Sequence, residues 1–336
     1  MIDSSLNSRA NEEIASWLKY CYRMPGIDYS EPRYYMITFR KNPLAPPFSV
    51  VKGNLANQNH YCDYNPLGFI IAKVFKKFNS DASIPAKIEN RVIMPDHIHF
   101  MLRVTGHLDI DFSSYLIASI KGECTREYWN QFPQSPLTEN RESIFAPKFQ
   151  DTVVYARGIL DRLINYIKDN PRRYLIKRKY PDLFKCNMQI EIDGEVFQAI
   201  GNPFLLKKPG FVFIKYHRAW SEEETRKQIE LWKRDILNHG VMVSPFYHPI
   251  EKEILEWGLE RGGSAIQIEY RHYGPRDKPH GKWFDLCAQG RLLVVAAGPP
   301  GEKGRKINYA IATRLNGIAR KICLGATSCK IKRIDK

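Results

Sequence analysis

Between Arg91 and Arg103 the chain reads Arg-Val-Ile-Met-Pro-Asp-His-Ile-His-Phe-Met-Leu-Arg, an apolar run carrying two histidines, His97 and His99. A run of this length and apolarity predicts a buried β-strand. Side chains alternate along a strand, so residues two apart share a face. His97 and His99 therefore project side by side, while Ile98 and Phe100 enter the opposite layer. Any fold that accepts this strand must bury one face and find a use for two imidazoles on the other. Paired neutral imidazoles can ligate a divalent metal. They can equally be two half-buried polar residues near a strand end, and His-x-His alone does not decide.

At 336 residues the chain has room for one large domain or two ordinary ones. The chain holds no run of about 18 apolar residues that could span a bilayer. The segment Met1 to Asn7 lacks a basic stretch followed by an apolar one, so no secretion signal is expected. Cysteines stand singly at 22, 62, 124, 186, 287, 323 and 329. No Cys-x-x-Cys is present, which argues against a zinc cluster or a redox pair and suits a reducing, cytoplasmic setting. The net charge of +15 points to polyanions, nucleic acid first among them.

Patterning divides the chain near 187. Before that point, an amphipathic piece from Glu12 to Tyr20 suggests a peripheral helix. Tyr34 to Arg40 alternates as a strand should, and Lys41 to Asn65 reads as loop. Leu67 to Phe78 has helical spacing, with Phe69, Ile70, Val74 and Phe78 apolar. An amphipathic helix is expected from about Ser113 to Trp129, and a loop from Pro133 to Pro147. A second helix runs from about Thr152 to Asp169 and closes at Asn170-Pro171, because proline breaks helical hydrogen bonding. Its tail is basic: Lys168, Arg172, Arg173, Lys177, Arg178 and Lys179. Such a run serves as a solvated face or as a phosphate-tracking edge.

Beyond 187 the pattern alternates between strand and helix. Met188 to Ile192 and Glu195 to Ile200, joined at Asp193-Gly194, predict a hairpin. Strands are expected at Phe211 to Tyr216, Val241 to Ser244, Ala265 to Glu269 and Leu292 to Ala297. Helices are expected at Ser221 to Asn238, Ile250 to Glu260, Trp283 to Gln289 and Ile307 to Ile322. Ser221 and Glu224 have the spacing of a capping box. Apolar strands separated by helices indicate a mainly parallel sheet covered on both faces.

In the helix that leads to Pro171, Tyr166 and Asn170 are four residues apart and share a face. Taken alone, Tyr166 reads as a rim tyrosine of an amphipathic helix. Taken together, Met94-Pro95-Asp96-His97-Ile98-His99 and Tyr166-Ile167-Lys168-Asp169-Asn170-Pro171 resemble the single-tyrosine HUH transposases and, among them, the REP-associated tyrosine transposases. Their signatures are Met-Pro-Asn/Asp-His-hydrophobic-His and Tyr-Ile-x-x-Asn-Pro. Tyr34 to Arg40, Ile120-Lys121 and Phe149-Gln150-Asp151 also sit where that family has a first strand, a connecting helix and a segment before the tyrosine helix. The resemblance covers roughly residues 30 to 180. The longer insertion from Pro43 to Asn65 departs from it.

The resemblance implies a ferredoxin-like α+β domain over 1–186, with Tyr166 as nucleophile and His97, His99 and Asn170 as ligands of a divalent metal. Mg²⁺ is expected for its preference for oxygen ligands, and Mn²⁺ suits the imidazoles. The implied partner is single-stranded DNA, in hairpin-forming segments, and a homodimer is compatible with it. Lys121, Lys168, Arg172, Arg173 and Lys177 are the candidate DNA contacts. Asp151 would cap the tyrosine helix or add a ligand, and Asp96 should face away from the histidine pair. Tyr174 and Tyr180 lack an asparagine four residues later. Tyr34, Tyr35 and Trp129 could stack bases or fill the core.

Residues 187–209 are expected as a hairpin linker and 210–336 as a Rossmann-like α/β domain. Residues 210 to 322 are similar to the Rossmann-like domain of DNA-processing protein A (Smf), which implies single-stranded DNA binding. The glycines from Gly298 to Gly304 do not form the dinucleotide fingerprint. The expected activity is metal-dependent cleavage and transfer of single-stranded DNA through a 5′-phosphotyrosine. The alternatives are a non-transposing HUH nickase and a catalytically silent DNA-binding regulator.

Overall fold

The strand expected near residue 34 spans Tyr34–Lys41 (β1) and feeds two cores: Tyr35, Ile37 and Phe39 enter one and Met36 the other. The computed structural model describes residues 27–55, 59–107, 112–156, 158–184, 188–274, 277–304, 306–325 and 332–333. The peripheral helix expected at Glu12 to Tyr20 lies outside the described residues. Within them the chain forms two compact units that divide at Leu175/Ile176. No described helix is long and apolar enough to cross a membrane.

After β1 come an antiparallel hairpin, β2 (Ser49–Asn54) and β3 (Asn59–Tyr64), then helix α1 (Pro66–Ser80) and strands β4 (Ala86–Ile93) and β5 (His97–Val104). Helix α2 (Phe112–Gln131), a single turn α3 (Pro136–Glu139), strand β6 (Phe145–Val153) and helix α4 (Ile159–Lys179) complete this part. The strands pair antiparallel in the order β4-β5-β1-β6. This is the β-α-β-β-α-β arrangement expected of a ferredoxin-like domain.

One face of the sheet buries Ile98, Phe100 and Leu102 of β5 against Ile71, Val74 and Phe75 of α1 and Ile117, Ile120 and Cys124 of α2. The other face carries Met36, Val92 and Met101 against Leu160, Leu163, Ile164 and Ile167 of α4. Helices therefore cover both sides, and α4 lies over the histidine face, where Val51 and Cys62 of the β2–β3 hairpin pack as well. Both edges of the sheet are irregular. In β4 the register shifts between Glu89 and Val92, and Asn90 adopts φ 43°. β6 includes Pro147 and breaks register against β1 between Phe39 and Lys41.

Three expectations need correction. The segment from 41 to 65 is not all loop: it holds the β2–β3 hairpin, whose mixed polar residues have no apolar period to read. Residues 145–153 are a strand rather than a loop and the start of a helix. Phe145, Phe149 and Val153 are buried four apart, a spacing that imitates a helix but fits one face of a strand just as well. The tyrosine helix does not stop at Pro171 but runs through it to Lys179. An interior proline costs about 3 kcal/mol in a free helix. Here Pro171 is buried, and Asn170 Nδ2 donates to the Tyr166 carbonyl 2.9 Å away, supporting the turn that proline weakens.

In the second unit β7 (Met188–Ile192) and β8 (Glu195–Gly201) form the expected hairpin, with positive φ at Asp193 and Gly194. It belongs to the sheet rather than acting as a linker, because β8 pairs antiparallel with β12. Strands β9 (Phe211–Phe213), β10 (Val241–Ser244), β11 (Ala265–Glu269) and β12 (Leu292–Ala296) are parallel. Helices α5 (Glu222–Leu237), α6 (Pro249–Glu260) and α7 (Lys282–Ala288) connect them, and α8 (Tyr309–Cys323) follows. The short β13 (Lys332–Arg333) pairs with β7, so the seven-stranded sheet is mixed, in the order β13-β7-β8-β12-β11-β10-β9. The Ser221–Glu224 capping box forms as expected. The division at 175/176 precedes the change in patterning near 187 because the chain between already packs with the second unit: Phe184 stacks on Phe284 and Lys177 lies over the same ring.

Gly68 sits where α1 crosses the start of β2, and an added Cβ would fall 2.2 Å from the Phe48 carbonyl oxygen. Backbone cannot yield there as a flexible side chain would. Gly68→Ala should therefore destabilise the protein by about 1–3 kcal/mol, measured as a lower midpoint in urea unfolding followed by circular dichroism.

Candidate active site

On β5 the alternation holds as the sequence predicts. Ile98 and Phe100 are in the core, and the His97 and His99 rings lie on the opposite face with centroids 4.6 Å apart. His99 is 6% exposed, and its Nδ1 lies 2.8 Å from the Thr38 hydroxyl. Thr38 is the residue opposite His99 in the β1–β5 register. The side chain of His97 is 23% exposed and its Nδ1 lies 2.7 Å from Asp96 Oδ1. Asp96 precedes the strand in a bend, so strand alternation does not govern it, and the expectation that it faces away is corrected. The hydrogen bond to His97 holds its carboxyl below the ordinary range.

With Nδ1 of each ring engaged, a cation would be held through Nε2, the arrangement in which outer contacts orient metal-binding histidines. Among the described residues no three His, Cys, Asp or Glu side chains are grouped to hold a metal. The donors on offer are thus two imidazoles, with a further ligand to come from an amide or from substrate oxygens.

Tyr166 projects from α4 toward this pair. Its ring centroid is 5.4 Å from that of His99, and the residue is 36% exposed. Leu163, Ile164 and Ile167 anchor the helix on the sheet, so the phenol stands at the rim of the buried stripe. The Arg173 guanidinium lies 5.6 Å from the centre of the tyrosine ring. Asn170, one turn on, is 7% exposed. Its Nδ2 is spent on the Tyr166 carbonyl, which leaves Oδ1 as the end suited to a metal.

The remaining expected residues separate. Arg172 and Arg173 both bind Asp169, at 2.5 and 2.7 Å. Burial would raise the Asp169 carboxyl, but the hydrogen bonds from the two arginines outweigh it and keep it low. Lys168 is exposed on the same helix. Lys177 belongs to the second unit. Lys121 is not with the site: its ammonium donates to the Ala146 and Pro147 carbonyls at 2.6 and 3.0 Å, tying α2 to β6 on the far side of the sheet. Asp151 is not a cap of α4. It lies in β6 opposite Ile37, in phase with the core residues Phe149 and Val153. Tyr35 and Trp129 serve packing, Tyr35 stacked on Tyr29 and Trp129 donating to the Glu142 carbonyl. Tyr34 and Tyr174 pack at the edge of the smaller core beneath α4.

Residues 67–170 match the family model described as IS200-like transposase. No curated protein matches the chain. Among solved structures, a REP-associated tyrosine transposase bound to a REP hairpin is 19% identical, with 46% of this chain and 73% of that one covered and a TM-score of 0.28. A presumed transposase of Deinococcus radiodurans is 15% identical, with 44% and 95% covered and a TM-score of 0.24. The likeness of residues 210–322 to DNA-processing protein A stays an expectation without support from these matches. The histidine pair, the tyrosine and the buried asparagine thus all lie inside the stretch of this chain that is similar to the IS200-like transposases.

Proposed function

We propose that this chain is a metal-dependent DNA strand transferase that cleaves single-stranded DNA with Tyr166. The observation that carries the reading is the meeting of a partly exposed phenol from α4 with two imidazoles from β5 on one face of the sheet. The match of this stretch to a transposase family supports it.

A phenol has an ordinary pKa near 10 and attacks at neutral pH only with assistance. His97, His99 and Asn170 would hold the divalent cation, which when bound polarises a non-bridging phosphate oxygen. Thr38 and Asp96 fix the two rings, and Asn170 braces the turn of α4 that bears the nucleophile. The Tyr166 oxygen forms a bond to phosphorus and loses its proton. The bond from phosphorus to the 3′ oxygen breaks, leaving a 3′-OH and a 5′-phosphotyrosine. That ester keeps the energy of the cleaved bond, so the 3′-OH of another strand can displace Tyr166 without a nucleotide cofactor. Lys168 and Arg172 lie on the same helix, where backbone phosphates of hairpin-forming single strands could be held in a salt-dependent way.

The test is a labelled single strand incubated with protein and Mn²⁺. A denaturation-resistant adduct should form with the native protein and be absent in Tyr166→Phe, with strand binding within about twofold. Binding with no adduct in the native protein would instead support a silent regulator, and adduct without strand joining a nickase. His97→Ala or His99→Ala should cut adduct formation by about 100-fold or more and raise the Mn²⁺ concentration needed, read by titrating the metal. Asp169, depressed in the folded state, contributes stability that is present above its unfolded pKa and lost as pH falls through the folded value. Asp169→Asn should therefore cost about 1 kcal/mol at pH 7, with the difference from the native protein starting to shrink as pH falls below about 4 and vanishing only below the depressed folded value, in urea unfolding at several pH values.

A further inference from the structure

The parallel strands of the second unit end at Phe213, Ser244, Glu269 and Ala296, the edge at which open α/β sheets take their ligands. Along β11, Ile266 and Ile268 enter the core, which leaves Gln267 and Glu269 on the opposite face, in register with Val294 and Ala296. The Glu269 carboxylate accepts from Gln267 Nε2 at 3.2 Å and from the Tyr273 hydroxyl at 3.1 Å. Burial pushes its pKa up, against the pull of that hydroxyl, Arg271 and His280. It lines a cavity of about 110 Å³ together with Arg271, Tyr273, Lys278, His280 and Trp283.

Three buried atoms at this edge have no hydrogen-bond partner among the described residues: Tyr247 Oη, Gln267 Oε1 and Arg271 Nε. Each such atom costs about 1–3 kcal/mol if left unmet, so native proteins keep few of them. Tyr247 is near enough for the Glu269 charge to act on its hydroxyl. The chain leaving β12 is drawn tight here: a Cβ on Gly298 would fall 2.7 Å from Arg271 backbone. A carboxylate beside a guanidinium donor, in a cavity also lined by an indole, makes a site for a planar ligand with two donors next to an acceptor.

We propose that this cavity binds a guanine base, with the two oxygens of Glu269 accepting from its N1–H and N2–H groups and Arg271 Nε donating to O6. Adenine offers the wrong order of donor and acceptor on that edge and is excluded by unmet polar groups. Trp283 supplies an apolar face for the ring, Lys278 is the cation at the rim for an attached phosphate, and His280 stands beside it as a hydrogen-bond donor. The missing glycine fingerprint is consistent with this, since recognition runs through the base rather than a pyrophosphate. The inference does not depend on the role of Tyr166.

Guanine could arrive as a free nucleotide or within a single strand, and calorimetry on the full chain separates the two. GMP should bind saturably and about tenfold or more tighter than AMP. An oligothymidylate carrying one dG should be compared with plain oligothymidylate, to subtract binding by the basic first unit. A preference for dG without GMP binding assigns the site to strand-borne guanine, and GMP binding assigns it to the free nucleotide. Glu269→Gln, nearly isosteric, should weaken whichever binding is seen by about tenfold or more, and Arg271→Ala should do so independently, with circular dichroism checking that each is folded. Absence of both GMP binding and a dG preference overturns the proposal, as does binding unchanged in a folded Glu269→Gln or Arg271→Ala protein.

Discussion

The two-residue period of β5 is the constraint on which the first unit rests. The same backbone must seat Ile98, Phe100 and Leu102 among the aromatic and aliphatic side chains of α1 and α2 while holding His97 and His99 clear on the other side. A slip of one residue would bury the imidazoles in the core and strip it of its largest apolar groups. The register is held across the sheet by β1, where Phe39 packs edge-on to Phe100 in one layer and Thr38 reaches His99 in the other. Core stability and the position of the imidazoles are therefore set by one strand pairing.

The second element of the site is brought in by packing rather than by pairing. Helix α4 crosses the histidine face on Leu160, Leu163, Ile164 and Ile167, which leaves Tyr166 at the rim of its buried stripe. The aspartate that follows is placed to gather Arg172 and Arg173, and the asparagine folds its amide back on the helix. The basic tail thus holds two arginines gathered by Asp169 and ends in lysines that lie over aromatic rings, Lys177 on Phe284 and Lys179 on Tyr180.

Much of this was legible in the sequence where a local rule governs the outcome. Alternation predicted the faces of β5, the Asp-Gly turn predicted the β7–β8 hairpin, and Ser221 with Glu224 predicted the start of α5. What local rules cannot carry was missed. The β6 strand was hidden because Phe145, Phe149 and Val153 satisfy two periods at once. The path of α4 through Pro171 depends on tertiary burial and on a side-chain hydrogen bond. Thr38 and Asp96 were overlooked as partners of the histidines: one needs the β1–β5 register, the other a bend before the strand, and neither leaves a pattern in a single sequence. Lys121 was placed by position along the chain, while the side of the sheet on which it lies is decided by the crossover of α2.

The two margins of the antiparallel sheet have a consequence of their own. An unprotected outer strand invites another chain to add itself by backbone pairing. Here one margin is kinked at Asn90 and the other holds a proline at 147, with the neighbouring carbonyls of Ala146 and Pro147 capped by Lys121. Neither border offers an even ladder of amides and carbonyls for a newcomer to zip onto, so the sheet is guarded against runaway edge-to-edge growth, and association between molecules is steered toward side chains and helices.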